Sequence, residues 1–224
     1  MKALVVADGE VPALEELGPE LPPAAGDEEF VVIAANGGLR KAQALGLHVD
    51  LVVGDADSLA PTTIASLAEQ GVELQRHAMA KDASDTELAL REAVRRGAAE
   101  VFLVGALGGP RFDHALANVL LLAAPDLSVP VTVLDRATTV RVIGGPEGGR
   151  LQLLGRAGDI VSLLPLGTDV EGVTLTGLEY SLHGGTLPGG SSLGLSNVLT
   201  GPSAEISVTR GRLVAIHIRQ GARA

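Results

Sequence analysis

A predicted apolar strand ends in two acidic residues in the stretch Val52-Val53-Gly54-Asp55-Ala56-Asp57-Ser58. Side chains at positions i and i+2 of an extended backbone lie on the same face, so the carboxylates of Asp55 and Asp57 can point in the same direction. Carboxylates this close repel each other unless a cation or a shared proton separates them. The pair therefore indicates a metal or catalytic site, although a turn in which an aspartate caps the next helix has the same residues.

Apolar strands alternate with helices through residues 1–136. Pro61 is typical of a first helical turn, Ser84 and Glu87 have the spacing of a capping box, and Gly46 and Gly71 follow predicted helix ends. This alternation is typical of an α/β domain in which helices cover both faces of a parallel sheet. We predict strands over residues 2–7, 30–35, 51–53, 72–76, 101–104 and 131–134, and helices over residues 12–17, 39–45, 61–71, 84–97 and 113–123.

The pattern changes in the remainder of the chain, where short β-rich runs are separated by glycine-rich turns. Regularly spaced short strands of this kind are typical of an antiparallel sandwich or barrel. We therefore expect two domains, residues 1–136 and residues 137–224. The runs in the second domain are residues 140–143, 151–154, 160–164, 173–175, 206–208 and 213–218.

The chain is acidic and poor in aromatic residues. Its 224 residues carry a formal net charge of -10, and 2% of them are aromatic. An acidic surface does not attract nucleic acid or an anionic membrane, and few rings are present on which bases would stack. The chain has no cysteine, which excludes disulfides and thiolate metal sites. No signal-peptide pattern and no apolar run of about 20 residues is found, so we expect a cytoplasmic protein with neither a nucleic-acid nor a membrane partner.

Polar clusters follow several of the predicted strands. Ligands of open parallel sheets bind beyond the carboxyl ends of the strands, so we expect these clusters to gather at one edge of the sheet. The residues from Lys81 to Asp85 lie just before a helix, where free backbone N–H groups favour anions. The clusters are residues 8–9, 36–38, 54–57 and 105–111.

The acidic residues of these clusters predict a cation site. Carboxylates grouped without histidine or cysteine suit a hard, oxygen-liganded cation such as Mg²⁺. Lys81 and Arg111 supply positive charge for phosphates. The combination favours phosphoryl or pyrophosphoryl transfer from a nucleotide. Taken singly, the same aspartates are also typical of helix capping and dipole complementation. The acidic residues are Asp55, Asp57, Asp82, Asp85 and Asp113.

A glycine-rich loop in the second domain, Gly190-Ser191-Ser192-Leu193-Gly194-Leu195-Ser196-Asn197, concentrates hydroxyl and amide groups. These groups suit hydrogen bonding to a small polar ligand. Glycine, serine and asparagine are also ordinary turn residues, so a long hairpin loop is the alternative interpretation.

Together and in this order, the motifs resemble those of the thiamine pyrophosphokinase family, and the resemblance covers nearly the whole chain. The resemblance is carried by Ala35-Asn36-Gly37-Gly38, Gly54-Asp55-Ala56-Asp57-Ser58, Lys81-Asp82-Ala83-Ser84-Asp85-Thr86-Glu87-Leu88-Ala89, Gly108-Gly109-Pro110-Arg111-Phe112-Asp113-His114 with Ala117-Asn118, and the Gly190-to-Asn197 loop.

The resemblance implies a Rossmann-like catalytic domain followed by an antiparallel β-sandwich, in a homodimer. It also implies transfer of the pyrophosphoryl group of ATP to the hydroxyethyl oxygen of thiamine, which gives thiamine diphosphate and AMP and uses Mg²⁺. The first domain would then bind the nucleotide and carry out catalysis, and the second would bind thiamine.

The positions within the motifs imply a role for each candidate residue. Asp57 and Asp85 are the candidates for the base that accepts the proton of the attacking alcohol. Asp55, Asp82 and Asp113 are the candidates for the metal. The nucleotide and its phosphates would contact Asn36, Gly37, Lys81, Gly108, Arg111, His114 and Asn118, and thiamine would contact Ser191, Ser192, Ser196 and Asn197.

The sequence departs from the family pattern at a few positions. Asn36 stands where the family usually has aspartate, Ser84 replaces a common threonine, and Pro110 is an extra residue before Arg111. Asn36 keeps an acceptor oxygen but lacks the charge. Two alternative functions are a related pyrophosphokinase for another alcohol, such as a hydroxymethylpterin, and a non-catalytic nucleotide or thiamine sensor, which only Asn36 favours.

Overall fold

The computed structural model describes residues 1–17, 19–21, 30–55, 57, 59–77 and 82–221. The chain divides into two compact units, Met1–Asp135 and Arg136–Ala224. The strands of the first unit pair in parallel and those of the second pair antiparallel. This arrangement confirms the coarse prediction of a parallel sheet followed by an antiparallel part. Among the described residues, every helix falls short of the length and apolarity that a membrane span needs.

The first unit is built around a parallel sheet with the strand order β6-β5-β1-β2-β3-β4. Its strands are β1 (Lys2–Val6), β2 (Phe30–Ala35), β3 (Leu51–Gly54), β4 (Glu73–Arg76), β5 (Glu100–Val104) and β6 (Val131–Asp135), and its helices are α1 (Gly38–Ala44), α2 (Pro61–Glu69), α3 (Asp85–Arg95) and α4 (Phe112–Leu121).

Both faces of the central strands are buried. Val5 and Val6 point to opposite faces of the sheet, and both are fully buried. On the Val6 face, the sheet packs against Leu39 of α1 and Leu67 of α2. Buried leucine side chains contribute about 2 kcal/mol each to stability, so strands with no polar face are held firmly. α3 also packs on β1, β2 and β3, and it buries Leu90.

The carboxyl ends of the strands come together at one edge of this sheet. The parallel register pairs Ala35 at the end of β2 with Val53 near the end of β3, and Val6 at the end of β1 with Val104 at the end of β5. The polar residues that follow each strand therefore begin at the same edge, as the sequence predicts.

The second unit contains two antiparallel sheets that share one apolar core. The strand orders are β12-β9-β14-β7 and β11-β10-β13-β8. Val161 and Leu213 from the first sheet and Val173 and Ile206 from the second belong to the same buried cluster. The strands are β7 (Thr138–Gly145), β8 (Gly149–Leu154), β9 (Ile160–Pro165), β10 (Val170–Thr176), β11 (Leu182–Leu187), β12 (Asn197–Val198), β13 (Ser203–Val208) and β14 (Gly211–Ile218).

Three elements differ from the sequence-based expectation. β11 was not predicted because it contains Gly184 and Gly185, and glycine disfavours strands when neighbouring strands are ignored. β12 is a two-residue strand that exists through its pairing with β9. The helix predicted over residues 12–17 is a single 3₁₀ turn, Leu14–Glu16, with no side-chain cap. The other boundaries agree to within three residues, and the largest differences are at β10 and β13, which begin three residues earlier than predicted.

Candidate active site

A pocket of about 390 Å³ lies at the carboxyl edge of the parallel sheet of the first unit. Its walls are the loops that follow β1, β2 and β5 and the first turns of α3 and α4. The predicted nucleotide residues that line it are Asn36, Gly37, Gly108, Arg111, His114 and Asn118, and the wall also includes Asp85 among the predicted catalytic residues.

Glycines allow the loops around the pocket to approach each other closely. A Cβ added to Gly37 would lie 2.3 Å from the carboxyl carbon of Asp8, and one added to Gly38 would lie 2.0 Å from the carbonyl oxygen of Val6. Real Cβ atoms do not come this close to other atoms. The Asn36-Gly37-Gly38 motif therefore packs the loop after β2 against the loop after β1.

Asn36 connects the ends of two different elements. Its backbone N–H donates to the carbonyl oxygen of Val53 at 2.8 Å. Its side-chain Nδ2 donates to Oδ1 of Asp55 at 3.2 Å and to Oδ2 of Asp85 at 3.3 Å. The carboxylate of Asp55, after β3, and that of Asp85, at the start of α3, therefore contact the same amide group.

Asp85 is positioned by the N-terminus of α3. The Oγ of Ser84 accepts a hydrogen bond from the backbone N–H of Glu87 at 3.2 Å, which is the N-cap half of the predicted capping box. The carboxylate of Glu87 pairs with Arg91 at 2.7 Å one turn along the same helix. The cap sets where the helix begins, and Asp85 is its first residue.

Arg111 and Asp113 form an exposed ion pair at the start of α4. The guanidinium of Arg111 donates through Nε to Oδ1 of Asp113 at 2.9 Å and through Nη2 to Oδ2 at 2.6 Å. These hydrogen bonds lower the pKa of the Asp113 carboxyl to about 2, so the group is ionised at neutral pH. Arg111 lines the pocket. Asp113 does not line it and contacts the guanidinium of Arg111.

Asn118 fixes the glycine-rich loop that follows β5. Its side chain is buried, and its Nδ2 donates to the carbonyl oxygen of Ala106 at 2.9 Å. The sequence suggests that His114 and Asn118, one turn apart on α4, are either ligand contacts or a surface pair. Both line the pocket, and Asn118 also supports its wall.

The predicted acidic residues do not form one cluster. Asp55 and Asp85 meet at Asn36, Asp113 pairs with Arg111, and Asp57 and Asp82 are exposed outside the pocket wall. Within the part of the chain that the structure describes, no group of three or more His, Cys, Asp or Glu side chains is arranged to hold a metal. Lys81 lies outside the described residues.

A smaller donor set at Asn36 is nevertheless suited to a hard cation. Carboxylate and amide oxygens are the ligands that Mg²⁺ takes in proteins. Besides the carboxylates of Asp55 and Asp85, the Oδ1 atom of Asn36 is buried and has no hydrogen-bond partner among the described residues. These residues fit one divalent cation.

The sequence assigns no specific role to several residues of the pocket wall. Asp8, Thr86 and Ala115 line it, although none of them was assigned a role. The sequence feature that marks Asp8 is its position directly after the first predicted strand. Thr86 lies within the motif from Lys81 to Ala89 but was given no role there, and no motif marks Ala115.

The predicted thiamine residues lie in the second unit, where the structure shows local roles for three of them. The Oγ of Ser191 accepts from the backbone N–H of Leu193 at 3.1 Å, and the backbone N–H of Ser196 donates to the Oγ of Ser162 at 3.1 Å. The buried Asn197 accepts through Oδ1 from the backbone N–H of Tyr180 at 2.9 Å and donates through Nδ2 to its carbonyl oxygen at 2.8 Å.

Comparison with known proteins agrees with this reading of the motifs. Residues 25–133 match the model of the thiamin pyrophosphokinase catalytic domain, and residues 150–213 match the model of the thiamin pyrophosphokinase vitamin B1 binding domain. Thiamine pyrophosphokinase from Bacillus subtilis is 27% identical over 164 residues, which are 73% of this chain and 75% of that protein.

Solved structures show the same fold over nearly the full length. The crystal structure of thiamine pyrophosphokinase from Bacillus subtilis superposes with a TM-score of 0.81 at 23% identity and covers 98% of this chain and 100% of that one. A thiamin pyrophosphokinase family protein from Enterococcus faecalis has a TM-score of 0.80 at 26% identity, with the same coverage. Because the two domain models match most of the sequence in the family's order, the chain belongs to the thiamine pyrophosphokinase family.

Proposed function

We propose that this protein transfers the pyrophosphoryl group of ATP to the hydroxyethyl oxygen of thiamine and releases AMP. Its family membership makes it a thiamine pyrophosphokinase, an enzyme that makes thiamine diphosphate. The observation that carries the mechanism is the pocket that both Arg111 and the amide-bonded carboxylate of Asp85 line. The two alternatives, another alcohol as acceptor and a non-catalytic sensor, are not favoured by the relatives.

We further propose that the first unit is a Rossmann-like nucleotide-binding domain and the second a thiamine-binding β-sandwich. A buried parallel sheet with a ligand pocket beyond its carboxyl ends supports the first assignment. A core shared by two antiparallel sheets supports the second. The domain boundary that we propose lies at residues 136–137.

ATP would bind with its phosphates beside the loop after β5 and the start of α4. Arg111 carries the positive charge there, and the start of a helix offers unpaired N–H groups to an anion. Gly37 and Gly108 let the phosphates approach the backbone, while His114 and Asn118 offer polar atoms from α4. We assign Lys81 to the same phosphates on its motif alone.

The reaction needs a base for the attacking alcohol and positive charge around the phosphates. The thiamine oxygen attacks the β-phosphorus of ATP, its proton passes to a carboxylate, and the bond to the α-phosphate oxygen breaks to release AMP. Of the two candidates, we favour Asp85 over Asp57 as the proton acceptor because Asp85 lines the pocket. Bound Mg²⁺ would offset the charge of the transferred phosphates and of AMP.

The remaining acidic residues receive separate roles. Asp55, with the oxygen of Asn36, would hold the cation, and we keep Asp82 as a further ligand on its motif. Asp113 holds Arg111 in the ion pair, and we propose that it orients the guanidinium toward the phosphates. In the second unit, the exposed hydroxyls of Ser192 and Ser196 would contact thiamine. Ser191 and Asn197 would shape that loop.

A homodimer is supported by an apolar stripe along α4. Phe112, Leu116 and Leu120 are spaced by four residues, and their exposed fractions are 76%, 47% and 49%. Side chains at this spacing share one face of a helix. An exposed apolar stripe is typical of an interface, and we propose that a second copy of the chain covers it.

Phosphorus NMR of the purified protein with ATP, Mg²⁺ and thiamine tests this function. We expect thiamine diphosphate and AMP to appear only when thiamine is present. ADP together with thiamine monophosphate would contradict the proposed site of attack, and ATP binding without turnover would support a sensor instead.

The assignment of the base is tested in the same assay with Asp85→Asn. We expect turnover to fall by about a hundredfold or more, since proton transfer to a positioned group contributes that much to the rate. Asp126→Asn is the matched control because Asp126 is exposed and pairs with Arg91 at 2.6 Å, outside the pocket wall. If Asp85→Asn retains turnover and Asp57→Asn loses it, the two candidates exchange roles.

A further inference from the structure

The amide group of Asn36 has a geometry suited to two carboxylates at once. Its Nδ2 lies 3.2 Å from Oδ1 of Asp55 and 3.3 Å from Oδ2 of Asp85. An amide NH₂ carries two hydrogens, one for each carboxylate oxygen. The opposite orientation would place an amide oxygen against two carboxylate oxygens, all of them acceptors, so the hydrogen bonding requires the nitrogen on this side.

The backbone around Asn36 is built to hold this position. Asn36 has a φ of 47°, a left-handed conformation that asparagine adopts more readily than most residues. Its side chain lies over Gly54, the residue that precedes Asp55. A Cβ on Gly54 would come within 2.9 Å of the Cβ of Asn36 and 3.1 Å of its Cγ. A larger residue at Gly54 would therefore displace the amide.

The amide of Asn36 is a donor that the two carboxylates share. Two carboxylates that approach each other normally require a cation or a shared proton, because the charged forms repel. Here both carboxylates accept from the same neutral amide, and Oδ1 of Asp55 also accepts from the backbone N–H of Asp57 at 3.2 Å. The Oδ1 of Asn36 is buried without a partner among the described residues, which costs about 1–3 kcal/mol. The nitrogen of the amide serves the two carboxylates, and its oxygen is the atom proposed above as a cation ligand.

We propose that Asn36 is a positioning residue for pyrophosphoryl transfer, whose amide keeps Asp55 and Asp85 in their reactive geometry before any cation binds. This inference rests on the proposed function of the pocket. An aspartate at the same place would set three carboxylates against one another, and that arrangement depends on a cation. Asn36 instead joins the two carboxylates through a neutral donor.

The first test measures stability and metal binding without turnover. Thermal unfolding of the wild type and of Asn36→Asp is compared in EDTA and in excess MgCl₂, and Mn²⁺ binding without nucleotide is followed by EPR. We expect Asn36→Asp to lose stability in EDTA, to recover it with Mg²⁺, and to bind Mn²⁺ about tenfold more tightly than the wild type. Gln70→Glu is the matched control, since Gln70 is an exposed amide bonded to Ser66 at 2.9 Å.

The second test separates positioning from ligand binding. Asn36→Ala removes both donors, and we expect kcat to fall by about tenfold or more while KM for ATP and for thiamine changes little. With saturating Mg²⁺, Asn36→Asp is expected to recover kcat relative to Asn36→Ala, because the cation then holds the carboxylates. Gln70→Ala serves as the matched control.

Two results would overturn the proposal. One is an unchanged kcat in Asn36→Ala, and the other is an Asn36→Asp variant whose stability and Mn²⁺ affinity match those of the wild type. If the wild type forms no thiamine diphosphate, the proposed function fails, and the EDTA and Mn²⁺ measurements still decide the role of Asn36. If Asn36→Ala does not fold, the Asn36→Asp measurements decide it.

Discussion

Asp159 and His217 are buried side chains in the second unit, and they contact each other. Oδ2 of Asp159 lies 3.0 Å from Nε2 of His217, and both residues are 1% exposed. Burial alone raises the pKa of the Asp159 carboxyl. Backbone N–H groups of Gln220 and Arg156 and the contact with His217 outweigh it, so the pKa is lowered overall. The carboxylate is stabilised as an ion by contacts with three residues, Arg156 in its own loop and His217 and Gln220 near the end of the chain.

This lowered pKa predicts a pH-dependent contribution to stability. The stabilisation is complete above the unfolded pKa of about 3.9 and is lost as pH falls through the lower folded pKa. We expect Asp159→Asn to reduce the free energy of unfolding at pH 7 by about 2 kcal/mol and the difference from the wild type to shrink below about pH 4. Urea unfolding of both proteins at several pH values from below 4 to 7 measures this difference in the free energy of unfolding. A difference that stays constant with pH would rule out the carboxylate as its source.

Asn197 and Ser192 belong to the same loop, but the side chain of Asn197 stabilises the structure and that of Ser192 is available to a ligand. Both were assigned to thiamine, but the amide of Asn197 is occupied by the backbone of Tyr180 and the hydroxyl of Ser192 is exposed. We expect Asn197→Ala to lower the free energy of unfolding by about 1 kcal/mol, since it leaves the part-buried backbone N–H and carbonyl groups of Tyr180 without their side-chain partner. Ser192→Ala should leave stability unchanged and raise KM for thiamine. Unfolding curves and steady-state kinetics distinguish the two variants. A stability loss in Ser192→Ala together with a raised KM for thiamine in Asn197→Ala would contradict these roles.

At the scale of elements, the cap of α3 links helix stability to catalysis. Ser84 accepts from the backbone N–H of Glu87, and the helix begins with Asp85. We expect Ser84→Ala to lower the free energy of unfolding by about 1 kcal/mol and to reduce kcat, because the carboxylate of Asp85 is less well held. Ser84→Thr, which retains the hydroxyl, should behave like the wild type. Ser66→Ala, an exposed position on α2, is the control, and equal effects from both alanine variants would contradict a special role for the cap.

Local sequence patterns are sufficient to predict the ends of the helices but not the strands β11 and β12. Pro61 begins α2 and Ser84 caps α3, as predicted, and Gly46 and Gly71 adopt the left-handed conformation after helices, with φ of 71° and 76°. These signals act within one turn of the chain, so the sequence displays them directly. β11 and β12 depend instead on partners distant in the sequence. Their own glycines and turn residues argue against strands.

At the scale of the whole molecule, the apolar stripe of α4 predicts the assembly. We expect the wild type to elute with twice the 22.8 kDa mass of the chain and Leu116→Glu to elute as a monomer, because the charge would be buried in the interface. Size-exclusion chromatography with light scattering measures both masses. Thr62→Glu, on the exposed start of α2, is the control. A Leu116→Glu variant with the wild-type mass would place any interface elsewhere.

The sequence by itself determined the two-part architecture, the edge of the sheet at which polar residues gather, and the family. Each of these follows from periodicity, from caps within a few residues, or from motifs in a fixed order. The tertiary structure alone decided which side chains meet. Asn36 reaches Asp55 and Asp85 across 19 and 49 residues of sequence, and these contacts depend on the order of the strands. Strand order is set by packing of the whole core, which no local pattern contains.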